Sequence, residues 1–497
     1  MNARPNIVLI YADDLGYGDV KCYDARCRIP TPHIDALAER GVRFTNAHAS
    51  DTVCSPSRYG ILTGRYSWRT SRKAGNPAPG EQPWIEAGRT TLPSLLQESG
   101  YDTAAFGKWG LGSDWAHAAR PGREGLDISP DAIDYRKPIH SGRCVGFTYD
   151  DVHLWYGHAY HTTTYPCNLE PGAVEKRDGG RWYFENGYSR GGAPDFEAFD
   201  MEEAQMHYLR NAVRYIDAKG GQVDDERYHI CDDAPFFMYF APHIPHWPHV
   251  PASQFQGKTG MGYYGDFVYQ LDWAVGRIVE ALERNGMRDN TLIIFTSDNG
   301  PERQCYDYIR DYGHYSMGEW RGVKRDLWEG GHRIPFIFSW PGVAEAGTVS
   351  DRFVSQTDIV ATIADQLNYT LPDNAAEDSF SFLDEIFEEH PVDRRRDLAV
   401  YHSCRNKMGL RRGDWIYVDS QTGDDELGRG DQRRMQEPGW FREMRGVTPH
   451  DEICELFNLA EDPQELHNLA GEMPEKVAEM KQLLTEVMEA GRTASAR

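Results

Sequence analysis

A chain of 497 residues with 40% hydrophobic, 26% charged and 12% aromatic side chains has the apolar content of a well-packed globular protein, and its length suggests at least two domains. A net charge of -24 with no long basic stripe argues against nucleic acid as a partner, and any site for an anion must be made positive locally. No apolar run approaches the roughly 18 residues that a membrane span needs.

The opening MNARPNIVLIYADD (Met1–Asp14) has too short an apolar run for a signal peptide. As it stands the sequence reads as cytoplasmic, with a periplasmic or secreted protein expected if a signal peptide has been removed. Nine cysteines at irregular spacing form no dense disulfide framework, and Cys22 with Cys27 is the only pair close enough in sequence to suspect.

Taken in chain order, NIVLIY (Asn6–Tyr11) is a continuous apolar run bounded by Pro5 and Asp13, the pattern of a strand buried on both faces. Thr31 is placed to cap a helix with Pro32 at its first position. GVRFTNAH (Gly41–His48) reads as a strand, TLPSLLQESG (Thr91–Gly100) as a short helix stopped by Gly100, and YDTAAFG (Tyr101–Gly107) as the next strand. From Gly112 to Asp200 the pattern dissolves into Gly, Pro, Asp, His and aromatic residues, a loop-rich insertion expected to shape the substrate site.

Helical spacing returns over Asp200–Ala218, followed by the strand PFFMYFA (Pro235–Ala241), an amphipathic helix ended by Gly286, and the strand TLIIFTS (Thr291–Ser297). RIPFIFSW (Arg333–Trp340) and TDIVATIADQL (Thr357–Leu367) add a strand and a helix. This alternation predicts an α/β fold with a large, mostly parallel sheet flanked by helices on both faces. After about residue 375, DLAVYHS, KMGLRRG and DWIYVDS are short strand-like runs joined by tight turns, and a terminal helix starts near Pro474. The expected organisation is a catalytic α/β domain over residues 1–375, with the insertion at 112–200, and a smaller C-terminal α+β subdomain over 376–497 carrying an antiparallel sheet.

Polar clusters end four of the predicted strands: Asp13 and Asp14, Lys108, His243 and His246, and Asp298 and Asn299. Ligands of open α/β sheets bind at the carboxyl ends of strands, so the four can converge on one crevice. Any one cluster alone is what capping and turn chemistry produce; four in one chain ask for more. Three carboxylates gathered together repel unless a cation neutralises them, and all-oxygen donors suit Ca2+ or Mg2+ rather than zinc. Spacing alone leaves open two turns, Asp-Asp-Leu-Gly and Ser-Asp-Asn-Gly, with no metal. His246 and Lys324, judged by their neighbours alone, read as a loop histidine and a solvated lysine.

CSPSRYGILTGR (Cys54–Arg65) matches C-x-P-S-R-x-x-x-L-T-G-R at every fixed position. It stands with PNIVLIYADDLGYGD (Pro5–Asp19), GKWGLG (Gly107–Gly112), SDNG (Ser297–Gly300), GVKRDLWEGGHRIPF (Gly322–Phe336) and ELFNLAEDPQELHNLA (Glu455–Ala470). In this order, over nearly the whole chain, the sequence resembles the type I, formylglycine-dependent sulfatases, the arylsulfatase-like members of the alkaline phosphatase superfamily. Residues 112–200 and 420–450 carry no recognisable pattern.

The resemblance implies a sulfuric ester hydrolase in which a maturation enzyme oxidises Cys54 to formylglycine. The hydrated aldehyde is a geminal diol: one hydroxyl accepts the sulfo group, and loss of the proton from the other releases sulfate. A helix starting near Pro56 would add its dipole there. The resemblance further implies Ca2+, with Mg2+ less favoured, on Asp13, Asp14, Asp298 and Asn299. It puts Arg58 on the diol, Lys108 and Lys324 on sulfate oxygens, and His246 on sulfate or the leaving oxygen, with His243 a further candidate. Where the family commonly reads Lys-Trp-His, this chain has Lys108-Trp109-Gly110, and His314 is the candidate to fill the missing role. The expected substrate is a sulfated carbohydrate, with Thr148–Pro166 and Glu437–Met444 as aromatic segments able to stack on sugar rings, or else a small sulfate ester. Two alternatives stay open: a phosphonate monoester or phosphodiester hydrolase using the same nucleophile, and a non-catalytic sulfate-ester-binding protein with Cys54 unmodified.

Overall fold

The computed structural model describes residues 4–71, 75–77, 82–114, 141–153, 201–225, 228, 234–387, 395–427 and 434–494. Its strands, in chain order, are β1 (Asn6–Ala12), β2 (Val42–Phe44), β3 (Ala47–His48), β4 (Asp102–Lys108), β5 (Tyr149–His153), β6 (Phe236–Ala241) and β7 (Thr291–Ser297). They continue with β8 (Phe336–Ser339), β9 (Thr348–Ser350), β10 (Val354–Ser355), β11 (Leu398–His402), β12 (Met408–Arg412), β13 (Trp415–Val418) and β14 (Glu455–Asn458). The helices are α1 (Pro32–Glu39), α2 (Cys54–Thr63), α3 (Leu92–Glu98), α4 (Met201–Lys219), α5 (Gly262–Arg284), α6 (Cys305–Tyr312), α7 (Glu329–His332), α8 (Asp358–Gln366), α9 (Gly439–Arg445) and α10 (Pro474–Glu489).

Eight strands form one sheet in the order β5-β4-β6-β1-β7-β8-β2-β9. β6 runs parallel to both β1 and β4, as does β5 to β4 and β2 to β9. Every residue of β1, β4, β6 and β7 is buried, which is why β1, β6 and β7 carry continuous apolar runs in sequence rather than alternating ones. The expected large, mostly parallel sheet is present, and so is the separate antiparallel sheet, β11-β12-β13-β14. Met480, Leu484 and Val487 of α10 close a core with Val400, Leu410 and Leu456 of that smaller sheet.

The chain divides into two compact units: Met1–Asp13, Asn76–Phe295 and Phe338–Gly342, and Asp14–Gly75, Thr296–Ile337 and Val343–Arg497. The first holds an aromatic core in which Phe106 packs on Tyr149 and Tyr215, and Tyr228 packs on both tyrosines. The second holds α2, every residue of which is buried, the loops around it, and the antiparallel sheet.

Local details differ from the sequence reading. β5 lies inside the stretch read as patternless, because only Tyr149 and Val152 of its five residues are apolar. Gly41–His48 splits into β2 and β3 because the chain changes partner at Asn46, pairing first with β9 and then with β10. β14 extends the smaller sheet from a segment read only as a family motif. Helix α2 starts at Cys54 itself, two residues before Pro56. Cys22 and Cys27 are free thiols. Most of the 112–200 insertion, including the aromatic stretch beyond His153, lies outside the described residues. No helix among the described residues is long and apolar enough to cross a membrane.

Candidate active site

In the first unit, parallel registration brings three strand ends level. Ile10 pairs with Phe240 and Gly107 with Ala241, so the residues that follow, Asp13, Lys108 and His243, gather at one edge. Gly107 takes φ 104°, and a Cβ there would fall 2.2 Å from the Ala241 carbonyl oxygen, so only glycine lets β4 turn Lys108 into this position. The Lys108 Nζ lies 2.9 and 2.6 Å from the two Asp13 carboxylate oxygens, and His243 Nδ1 lies 2.9 Å from Oδ2. The Asp13 N–H donates to the Ile244 carbonyl at 2.9 Å, and the His243 N–H donates to Gln205 Oε1 of α4 at 2.9 Å.

The His246 ring lies beside that of His243, with centroids 4.5 Å apart and planes tilted by 37°, and its Nδ1 contacts the Trp247 carbonyl oxygen. That contact makes Nδ1 the donor and directs proton exchange to Nε2. All four side chains are buried. A buried lysine–carboxylate pair is a costly arrangement, worth keeping for what it does rather than for stability.

In the second unit, Asp14 sits in left-handed backbone at φ 64°, an uncommon conformation outside glycine and one that collects at functional sites. Its N–H donates to Asp298 Oδ1 at 3.0 Å, and the next amide, of Leu15, donates to Ser297 Oγ at 3.0 Å. Lys324 Nζ lies 2.6 and 2.8 Å from the Asp14 oxygens, and Asn299 Nδ2 donates to Asp14 Oδ1 at 2.8 Å. Arg58 Nη2 lies 3.0 Å from Asp298 Oδ2, with both side chains fully buried. Asn299 Oδ1 is buried with no hydrogen-bond partner among the described residues.

Cys54 opens α2, and Arg58 follows four residues later, on the same helix face. Val53 precedes the helix in extended backbone and offers no side-chain cap, so the first-turn N–H groups and the dipole favour negative charge near residue 54. Burial pushes the carboxyl of Asp51, just upstream, well above the usual carboxylate range. Ten buried residues, with Gly64 in left-handed backbone ending the helix, fix the position of Cys54 within the second unit.

The loop carrying Lys324 is held by backbone bonds from Lys324 N to Pro301 O and from Arg325 N to Thr52 O, each 2.9 Å. Arg325 pairs with Glu302 and with Gln436 Oε1. Burial opposes ionisation of Glu302, but the Arg325 and Lys324 charges prevail and hold its carboxyl at about 2. Gln205, Glu302, Arg325 and Gln436 were not legible as site residues, since nothing in their sequence neighbourhoods sets them apart.

His314 is fully buried, with Nε2 2.8 Å from Asp19 Oδ1 and Nδ1 accepting the Arg28 N–H at 3.5 Å, so its hydrogen bonds anchor the Gly16–Asp19 turn. Gly110, where the family has histidine, takes φ 70°, a conformation that a histidine would adopt only with strain. The departure from Lys-Trp-His is therefore tied to the backbone path after Lys108. Phe441 in the second aromatic segment is core, packed near Tyr306 and Val323, whereas Trp440 is 39% exposed.

The family model described as Sulfatase matches residues 5–166 and 192–369. An N-acetylgalactosamine-6-O-sulfatase of Bacteroides thetaiotaomicron is 33% identical over 97% of this chain and 93% of its own length. Human arylsulfatase A is 31% identical over 96% and 87%. A structure described under the metabolism of multiple glycosaminoglycans by Bacteroides thetaiotaomicron, and labelled a 6S-sulfatase, superposes with a TM-score of 0.78 at 30% identity, covering 98% of this chain and 99% of that one. With the sheet order, the two aspartate–lysine pairs and the Cys54–Arg58 helix in place, these similarities establish that the chain belongs to the sulfatase family, with its alkaline-phosphatase-like fold, and is a sulfuric ester hydrolase.

Proposed function

We propose that the chain removes a sulfate monoester from a carbohydrate, with Cys54 matured to formylglycine by a dedicated oxidising enzyme and with Ca2+ as the resident cation. The observation that carries this reading is the link from the nucleophile position to an oxygen-donor loop: Arg58, one turn after Cys54, bonds Asp298, whose other oxygen takes the Asp14 N–H.

The donor set fits a hard cation. Asp14, Asp298 and Asn299 offer only oxygens, Asn299 Oδ1 is the orphaned buried acceptor among them, and Asp13 is the covalent neighbour of Asp14. When bound, such a cation supplies Lewis-acid polarisation of sulfate oxygens. Oxidised and hydrated, residue 54 supplies two hydroxyls on one carbon, one to take the sulfo group and one to expel it.

The chain's own side chains do the rest. Lys108 and Lys324 neutralise sulfate oxygens in a water-poor site, usually the largest contribution to such catalysis. His246 Nε2 protonates the departing sugar oxygen, Arg58 orients the nucleophile, and His243 keeps Asp13 in place. Preference for a sugar rests on near-full-length similarity to the N-acetylgalactosamine-6-O-sulfatase. A panel of sulfated mono- and disaccharides, run beside matched aryl sulfate and aryl phosphonate esters, tests it. The highest kcat/KM should fall on a sulfated sugar, with N-acetylgalactosamine 6-sulfate first in line; a preference for the phosphonate would overturn the reading.

A further inference from the structure

Helix α4 in the first unit runs antiparallel to the strands it covers. Lys219 at its end pairs with Asp102 Oδ2 at 2.7 Å, at the start of β4, while Gln205 near its beginning holds the His243 N–H, beyond the end of β6. The first turns of α4 therefore lie at the edge of the sheet that carries Lys108, Asp13 and His246.

On those turns stands His207. Its Nε2 lies 3.0 Å from Oδ2 of Asp151 on β5, and Asn211, one turn on, donates to the same oxygen at 2.6 Å. Asp151 is 2% exposed, while the His207 side chain keeps 31% of its surface open. Asn211 Nδ2 also lies 3.1 Å from Nε2, so Nε2 is committed to Asp151 and Asn211, which sets the ring direction and leaves Nδ1 as the nitrogen for a further partner. Holding α4 down does not require this arrangement, because the Lys219–Asp102 pair and the Phe106–Tyr215 packing already do so.

Its place relative to the lysine follows from register. Phe106 pairs with Asp151 and Lys108 with His153, so Asp151 stands two register positions before the lysine, on the neighbouring strand.

We propose that His207, aimed by Asp151, is a substrate-binding histidine whose Nδ1 accepts a hydrogen bond from a sugar hydroxyl next to the sulfated position. This rests on the carbohydrate reading above. The test measures kcat and KM of wild type, His207→Ala, Asp151→Asn and the exposed control Arg210→Ala, on the best sulfated sugar of the panel and on an aryl sulfate.

Loss of a neutral hydrogen bond predicts a rise in KM for the sugar of about tenfold in His207→Ala, with Asp151→Asn in the same direction. The aryl ester should lose several-fold less, and Arg210→Ala should change neither substrate. Equal losses on both substrates would make His207 a structural residue, and no loss on either would remove it from the site; each result overturns the proposal. The wild-type row reads the underlying assignment separately: an enzyme that cleaves aryl sulfate and no sulfated sugar ends the carbohydrate reading, and this inference with it.

Discussion

Two buried clusters in this chain have the same composition and different surroundings. Asp13, His243 and His246 in the first unit, and Glu329, His48 and His332 in the second, each gather a carboxylate and two histidines with ligand atoms within 4.8 Å of one another. In the second cluster the nitrogens are committed. His332 Nε2 lies 3.2 Å from the Leu327 carbonyl, so it donates; its Nδ1 then accepts from His48 Nδ1 at 3.0 Å, and His48 Nε2 accepts from Arg411 at 2.8 Å. Arg411 and Arg333 both pair with Glu329, and Tyr401 stacks on His332 at 3.6 Å. Burial first, and the arginine charges with it, keep both rings neutral, His332 down at about 4, and the same positive charges repel a metal. The first cluster sits at strand ends, balanced by one lysine, with its two rings side by side and tilted by 37°. A carboxylate and two histidines therefore define neither a metal site nor a catalytic one; the cations around them and the bonds already made decide.

Substitutions in the two clusters should have different consequences. Lys108→Ala should lower kcat/KM by about 10³-fold or more with the fold intact, since it removes charge stabilisation from the transferring group. Near-normal turnover would take Lys108 out of the site. Glu329→Gln should instead act on stability, lowering it by about 3 kcal/mol in denaturant titration, because it leaves two buried arginines short of a partner. His246→Ala should cost about 10²-fold in kcat, the lower end of general acid help, and a solvent-exposed role would show as no effect.

The smallest effect is in pH. The unfolded chain protonates a histidine near 6.5, whereas folded His332 resists until about 4 and His48 is depressed too. Between those values the unfolded state binds more protons, so stability falls as pH drops from about 6.5 towards 4. Thermal melts of wild type across that window should show the slope, and His332→Gln should flatten it.

How much of this was legible depends on where the physical cause lies. β1, β6 and β7 announce themselves because burial on both faces demands unbroken apolar runs. β5 does not, since its aspartates are spent locally: Asp150 takes the Gly142 N–H and Asp151 pairs with His207. The strand-end residues and the Cys54 motif are the site candidates that the sequence offers. Which lysine serves which aspartate is invisible there, because Lys324 and Asp14 stand 310 residues apart. The His48–His332 pair, 284 residues apart, is hidden for the same reason. Gly110 was read as a missing histidine, and its positive φ supplies the backbone reason that composition could not.

The chemistry turns on residue 54. Peptide mass spectrometry of a preparation active on a sulfate ester should find that residue as the aldehyde or its hydrate, and a Cys54→Ser variant should accumulate a stable sulfate ester there without turning over. An active preparation whose Cys54 peptide carries an intact thiol throughout would contradict it.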